Sequence, residues 1–112
     1  MHLNIRSYNA NGKEFSSLLS SLYNKPEIFT LTETWLDSNS VDFCKYAGYS
    51  GYHTFRTGVR GGGVSVFVDN TLNSSLIDEI SISNLSIESC AVKINFNEVN
   101  FVVFFYLSAS FG

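Results

Sequence analysis

A change of hydrophobic period near the front of the chain constrains its fold more than any other feature. Phe15, Leu18, Leu19, Leu22 and Tyr23 keep the i, i+3, i+4, i+7, i+8 spacing of an amphipathic helix, predicted over 12–24. Asn11 stands ready to cap it, with Glu14 three residues on as in a capping box. Pro26 stops the helix, and Ile28-Phe29-Thr30-Leu31-Thr32 follows as a run of apolar and β-favouring residues that ends in Glu33. Ahead of the helix, Leu3 and Ile5 alternate with His2, Asn4 and Arg6, the period of a strand. Strand, helix and strand at this spacing predict a βαβ-like unit with both strands in one sheet.

Beyond this unit the pattern is mostly β. Residues 41–46 suggest a helical turn, and 51–56, 64–70, 89–96 and 99–107 read as strands. Asn97-Glu98 between the last two fits a tight hairpin. The expectation is one domain of α/β (α+β) class, with about six strands, mostly one mixed sheet and one main helix. The length of 112 residues suits a single small domain, and 45% hydrophobic and 15% aromatic residues supply a core.

Charge narrows the partners. The net charge of −3 argues against a generic nucleic-acid clamp. Yet Arg6, Lys13, Lys25, Lys45, Arg56 and Arg60 all lie in the first 60 residues, so an anionic partner is expected there. Cys44 and Cys90 sit in no metal or redox motif and read as reduced, buried thiols of an intracellular protein, nuclear or cytoplasmic and not secreted. The longest apolar run, Val99 to Leu107 broken only by Asn100, is about half the ~20 residues of a membrane helix, so no membrane partner is expected.

Why should a buried-looking strand end in an acid? In α/β folds functional groups gather at the carboxyl ends of strands. Asn4 lies in the first strand and Glu33 closes the second, so an amide and a carboxylate could meet at one rim. Mg2+ takes oxygen ligands and often only one or two carboxylates, with phosphate and water completing the shell. The plainer reading, Glu33 as a loop cap and Asn4 on a polar face, carries more weight from these two residues alone. In Arg56-Thr57-Gly58-Val59-Arg60-Gly61-Gly62-Gly63 the glycines permit close approach to a phosphate and the arginines bring charge. On the glycines alone a hairpin loop with a bulge before a core strand is the favoured reading. Tyr106, ending the last strand, has a hydroxyl that suits either a phosphate or a core edge. His2 and His53 have no partner at ligand spacing, and Trp35 is expected to pack beneath the loop after Glu33.

The segments HLNIRSYNAN, FTLTETWLD, GYHTFRTGVRGGGVSVFV and VNFVVFFY occur in the order found in endonuclease domains of LINE-type (non-long-terminal-repeat) retrotransposons. The chain thus resembles that branch of the exonuclease–endonuclease–phosphatase superfamily. The resemblance implies a four-layer α/β sandwich that hydrolyses DNA phosphodiesters with Mg2+, or Mn2+ in its place. By motif match it implies that Asn4 is an active-site residue that helps hold the metal, that Glu33 is the metal-binding carboxylate and that Tyr106 contacts the scissile phosphate. Arg56, Arg60, Gly61 and Gly62 would lie along the DNA phosphates. The family's later Gly-Asp-Phe-Asn and Ser-Asp-His segments do not occur in these residues. The expectation is therefore the N-terminal part of one such domain, its C-terminal half missing, partial as a sandwich and catalytically incomplete alone. Its natural partners would be DNA and the remainder of a longer, reverse transcriptase-associated retroelement polyprotein. A noncatalytic nucleic-acid- or protein-binding module, or a piece of another phosphoesterase of the superfamily, are the alternatives. An isolated half should expose an apolar face and a strand edge, giving a marginal, aggregation-prone monomer.

Overall fold

The computed structural model describes residues 1–58, 61–84 and 87–108. The chain runs β1 (His2–Asn4), α1 (Tyr8–Ser21), β2 (Ile28–Thr32), β3 (Tyr49–Thr54), β4 (Val64–Asp69), β5 (Asn73–Leu76), β6 (Ile87–Phe96) and β7 (Val99–Ser108). Single 3-10 turns stand at Val41–Phe43 and Asp78–Ile80. The fold is α+β with one main helix, and β1 and β2 are parallel neighbours joined through α1.

The strands divide into two sheets rather than mostly one. A mixed sheet has the order β1-β2-β4-β3, and an antiparallel sheet has the order β5-β6-β7. Side-chain alternation explains the division. On one face of the mixed sheet Ile5, Phe29, Leu31 and Phe67 pack with Phe15 and Leu19 of α1 and with Leu36, Cys44 and Tyr46. On its other face Val64, Val66 and Val68 remain apolar, and Cys90, Val92 and Ile94 of β6 cover them. A sheet apolar on both sides needs two covering layers, and the second sheet is one of them. Burying Phe29 or Phe67 completely stabilises the fold by roughly 2–3 kcal/mol each.

Local chemistry moved several boundaries. The helix starts at Tyr8, because Ser7 Oγ accepts from the Ala10 N–H. Asn11, expected as the cap, instead donates its amide to the carbonyls of Ile5 and Arg6. Gly12 inside the first turns is required by space: a Cβ there would lie 2.7 Å from the Tyr8 ring. The helix ends at Ser21 because Leu22 is already extended, leaving Tyr23 96% exposed. β5 was not expected, since Asn-Ser-Ser-Leu carries no apolar alternation; β6 recruits it by backbone pairing. Asn97 and Glu98 do make the β6–β7 turn, with φ of 50° and 65° as a type I′ turn demands. No helix among the described residues is long and apolar enough to cross a membrane.

Candidate functional site

The rim of interest forms where β1 and β2 end together. Asn4 stands beside Thr32 in the parallel register, one residue short of Glu33. The two chains then continue side by side: the Ile5, Ser7 and Tyr8 N–H groups donate to the carbonyls of Thr32, Glu33 and Thr34 at 3.0, 2.8 and 2.9 Å. The backbone therefore brings Asn4, exposed, and Glu33, half-buried, to the same end of the sheet.

This rim holds an unusual concentration of left-handed backbone. Arg6, Ser7, Glu33 and Trp35 have φ of 45°, 82°, 55° and 54°. Each such non-glycine residue costs on the order of 1 kcal/mol or more, and persists only where its surroundings fix it. Here they do. The Trp35 N–H donates to Gly62 O at 2.8 Å, and the Trp35 indole Nε1–H donates to Glu33 Oε2 at 3.0 Å. Trp35 is thus an orienting partner of the carboxylate, and not only the packing residue expected from the sequence.

The three glycines are explained by what they pass. Gly61, Gly62 and Gly63 have φ of 108°, 66° and 95°. A Cβ on Gly62 would collide with the Glu88 carboxylate, and one on Gly63 with Thr34 Oγ1. Glu88, 1% exposed, accepts from Arg56 Nε at 2.8 Å and from the Gly63 N–H at 3.0 Å. Arg56, Gly61 and Gly62, expected along phosphates, are committed first to enclosing this buried acid. Arg60 lies outside the described residues. Glu88 was missed as a partner from sequence, although an acid opening an otherwise buried strand, Ile87-Glu88-Ser89-Cys90-Ala91-Val92, was the available signal.

Tyr106 pairs with Ser89 near the same end of the molecule. Its neighbour Phe105 stacks on His2 of β1, ring centroids 4.5 Å apart. Alternation along β7 therefore sends Tyr106 to the opposite face, where Ser89 meets the 80–82 segment. The structure does not bring Tyr106 to the face that Asn4 shares with His2, Thr30 and Thr32.

The concavities follow the same division. Asn4 borders a recess of about 280 Å3 with Asn11, Glu14 and Leu18. Ser7, Asn9, Trp35, Asp37, Arg56 and Gly58 line another of about 390 Å3. A third, about 520 Å3, lies against β3 with Cys44, Tyr46 and His53 on its wall. Burial silences that chemistry: the Cys44 thiol is pushed up to about 12 and His53 down to about 4, and Cys90, in the core on the other face of the sheet, is pushed up to about 11. Both cysteines are free and buried, as expected. His53 Nδ1 shares a 2.7 Å hydrogen bond with Ser65 Oγ, and His2 Nδ1 one of 2.9 Å with Thr30 Oγ1.

Among the described residues no group of three or more His, Cys, Asp or Glu could hold a metal ion. What the rim offers is one carboxylate and one carboxamide. Both are hard oxygen donors, which suits Mg2+ or Mn2+ completed by water and phosphate and does not suit a structural zinc. No protein-family model matches the chain, and no curated protein matches it.

Proposed function

We propose that this chain is the N-terminal part of a Mg2+-dependent DNA endonuclease domain of the LINE-type retrotransposon kind, incomplete for turnover by itself. The observation that carries the reading is the parallel register that ends β1 at Asn4 beside Thr32, the last residue of β2, with Glu33 next on one strained rim. Glu33 and Asn4 would hold the cation, which neutralises charge on the phosphate and leaving oxygen when bound. Trp35 keeps the Glu33 carboxylate in place through its indole hydrogen bond, and Gly62 and Gly63 accept from Trp35 and Thr34 to lock the loop. Tyr106 keeps a phosphate role only if DNA passes over the outer face of β7.

Mn2+ binding, followed by the loss of free-ion electron paramagnetic resonance signal, tests the site. Weak binding that vanishes in Glu33→Gln is expected. No binding, or binding indifferent to Glu33, would remove the metal from the proposal. Supercoiled plasmid with Mg2+ should remain unnicked by this chain; nicking that disappears in Glu33→Ala would show the chain to be a complete enzyme. DNA binding that survives Glu33 replacement and falls with salt would favour a noncatalytic nucleic-acid module.

A further inference from the structure

We infer that the recess over Gly51 is a small-molecule site for a flat, uncharged aromatic ring carrying a hydrogen-bond acceptor, held between the Phe67 ring and the Nε2–H of His53. The site lies on β3, the outer strand opposite β1 in the mixed sheet, so it is separate from the Asn4–Glu33 rim and does not depend on the endonuclease reading. Gly51 stands opposite Phe67 in the antiparallel register, and alternation puts Tyr49, Gly51 and His53 on the face where Phe67 joins the core beneath α1. The absent side chain is what opens the recess. A Cβ on Gly51 would stand 2.8 Å from the Phe67 ring and 3.1 Å from His53 Nε2, so the glycine leaves both uncovered. The cavity there is about 520 Å3, within the roughly 300–1,000 Å3 of ligand pockets. The rest of its wall comes from the 41–49 segment and Asn70, towards the end of the β3–β4 ladder away from the Arg56–Gly63 loop.

The walls define the ligand. Tyr46 meets the Phe67 ring edge-on with centroids 5.0 Å apart, and His53 meets it at 5.5 Å. Tyr49 is anchored by its hydroxyl, which donates to Pro26 O at 2.6 Å. Aromatic edges and faces held in place pack best against another flat ring. His53 supplies the polar contact, and its tautomer follows from Ser65. The Ser65 hydroxyl is 0% exposed, and its hydrogen-bond partner among the described residues is His53 Nδ1 at 2.7 Å. A buried hydroxyl proton without an acceptor is costly, so Nδ1 accepts it and the ring proton sits on Nε2. Nε2 has no partner among the described residues and borders the Gly51 gap, where it offers one N–H donor. Burial holds the imidazole down to about 4, so it is neutral at pH 7 and needs no counter-ion. Cys44 and Phe67, both 1% exposed, are the most buried parts of the wall, and a charged group against them would lose its water without an ion in exchange.

The chain has 2 His, which gives the test an internal control, because His2 lies on β1 against Phe105 of the other sheet. The imidazole resonances of both are followed by NMR at pH 7 as benzamide is added, with His2→Gln assigning the pair. Saturable movement of His53 alone is expected, with a dissociation constant of about 1 mM. Toluene, which has the ring and no acceptor, should bind about fivefold more weakly, the loss of one hydrogen bond. Acetamide, which has the acceptor and no ring, should leave His53 unmoved, and benzoate should bind more weakly than benzamide. Gly51→Ala should abolish the response by filling the gap. Where its Cβ displaces Phe67 enough to unsettle the strand, Ala47→Phe decides. Ala47 is an exposed wall residue, and the new ring should block the recess at an unchanged melting temperature. No saturation by about 20 mM benzamide, equal movement of His53 by acetamide, tighter binding of benzoate, or full binding in Ala47→Phe overturns the assignment. No metal takes part, so this outcome is separable from Mn2+ binding at Glu33.

Discussion

Glu88 is the residue on which the candidate rim leans. Its carboxylate joins β6 to the loop before β4 through Arg56 and the Gly63 N–H, at 1% exposure. Breaking such a buried pair leaves a cation and an amide without their acceptor, and Glu88→Ala should cost about 3 kcal/mol or more in urea unfolding. Gly62→Ala should destabilise by at least ~1 kcal/mol, because its φ of 66° and the adjacent carboxylate both resist a Cβ. His53 sets a pH dependence. Burial lowers its folded value to about 4 from an ordinary 6.5, so between those values the unfolded chain binds a proton that the folded chain does not. Stability is then fully present above pH 6.5 and lost as pH falls towards 4. Thermal melts across that window should show a decline that flattens in His53→Gln.

At the scale of elements, two junctions carry identifiable strain. Ser7 caps α1 yet sits at φ 82°. Ser7→Ala should lose about 1 kcal/mol, the cap being gone and the strain kept, whereas Ser7→Gly should be close to neutral because glycine accepts that backbone freely. The β6–β7 turn places Glu98 at φ 65° where Asn-Gly is the favoured pair. Glu98→Gly should raise stability by about 1 kcal/mol, read from the urea midpoint at constant slope. An unchanged midpoint would mean that the turn is not under the strain its dihedral angles indicate.

The molecule as a whole has one poorly protected side. β7 is an outer strand of its sheet, ten residues long, with no charge along it, and Val99, Phe101 and Val102 are 53%, 48% and 57% exposed. The other outer strands are less inviting: β1 has three residues, β3 has six with Gly51 and His53 among them, and β5 is the polar Asn-Ser-Ser-Leu. A long apolar edge without Lys, Pro or a bulge is a template for another strand. Sedimentation should show concentration-dependent self-association. Val102→Glu should reduce it, because the new acid faces Lys93 across β6 and puts a charge on the free edge. A monomer at all concentrations with a sharp, concentration-independent melt would refute this.

Periodicity determined what periodicity can reach. The switch from helical to strand spacing around Pro26 located α1 and β2, alternation located β4, and the apolar segments on either side of Asn97-Glu98 located β6, β7 and their turn. The pairing of β1 with β2, which carries Asn4 and Glu33 to one rim, was expected from the strand–helix–strand order, the usual crossover between parallel neighbours. Only the tertiary structure decided the rest, because it depends on groups far apart in the chain. Arg56 and Glu88 are 32 residues apart, and no local pattern shows that one will spend its charge on the other. β5 exists because β6 offers it a backbone ladder. The side of β7 on which Tyr106 emerges was fixed when Phe105 packed against His2.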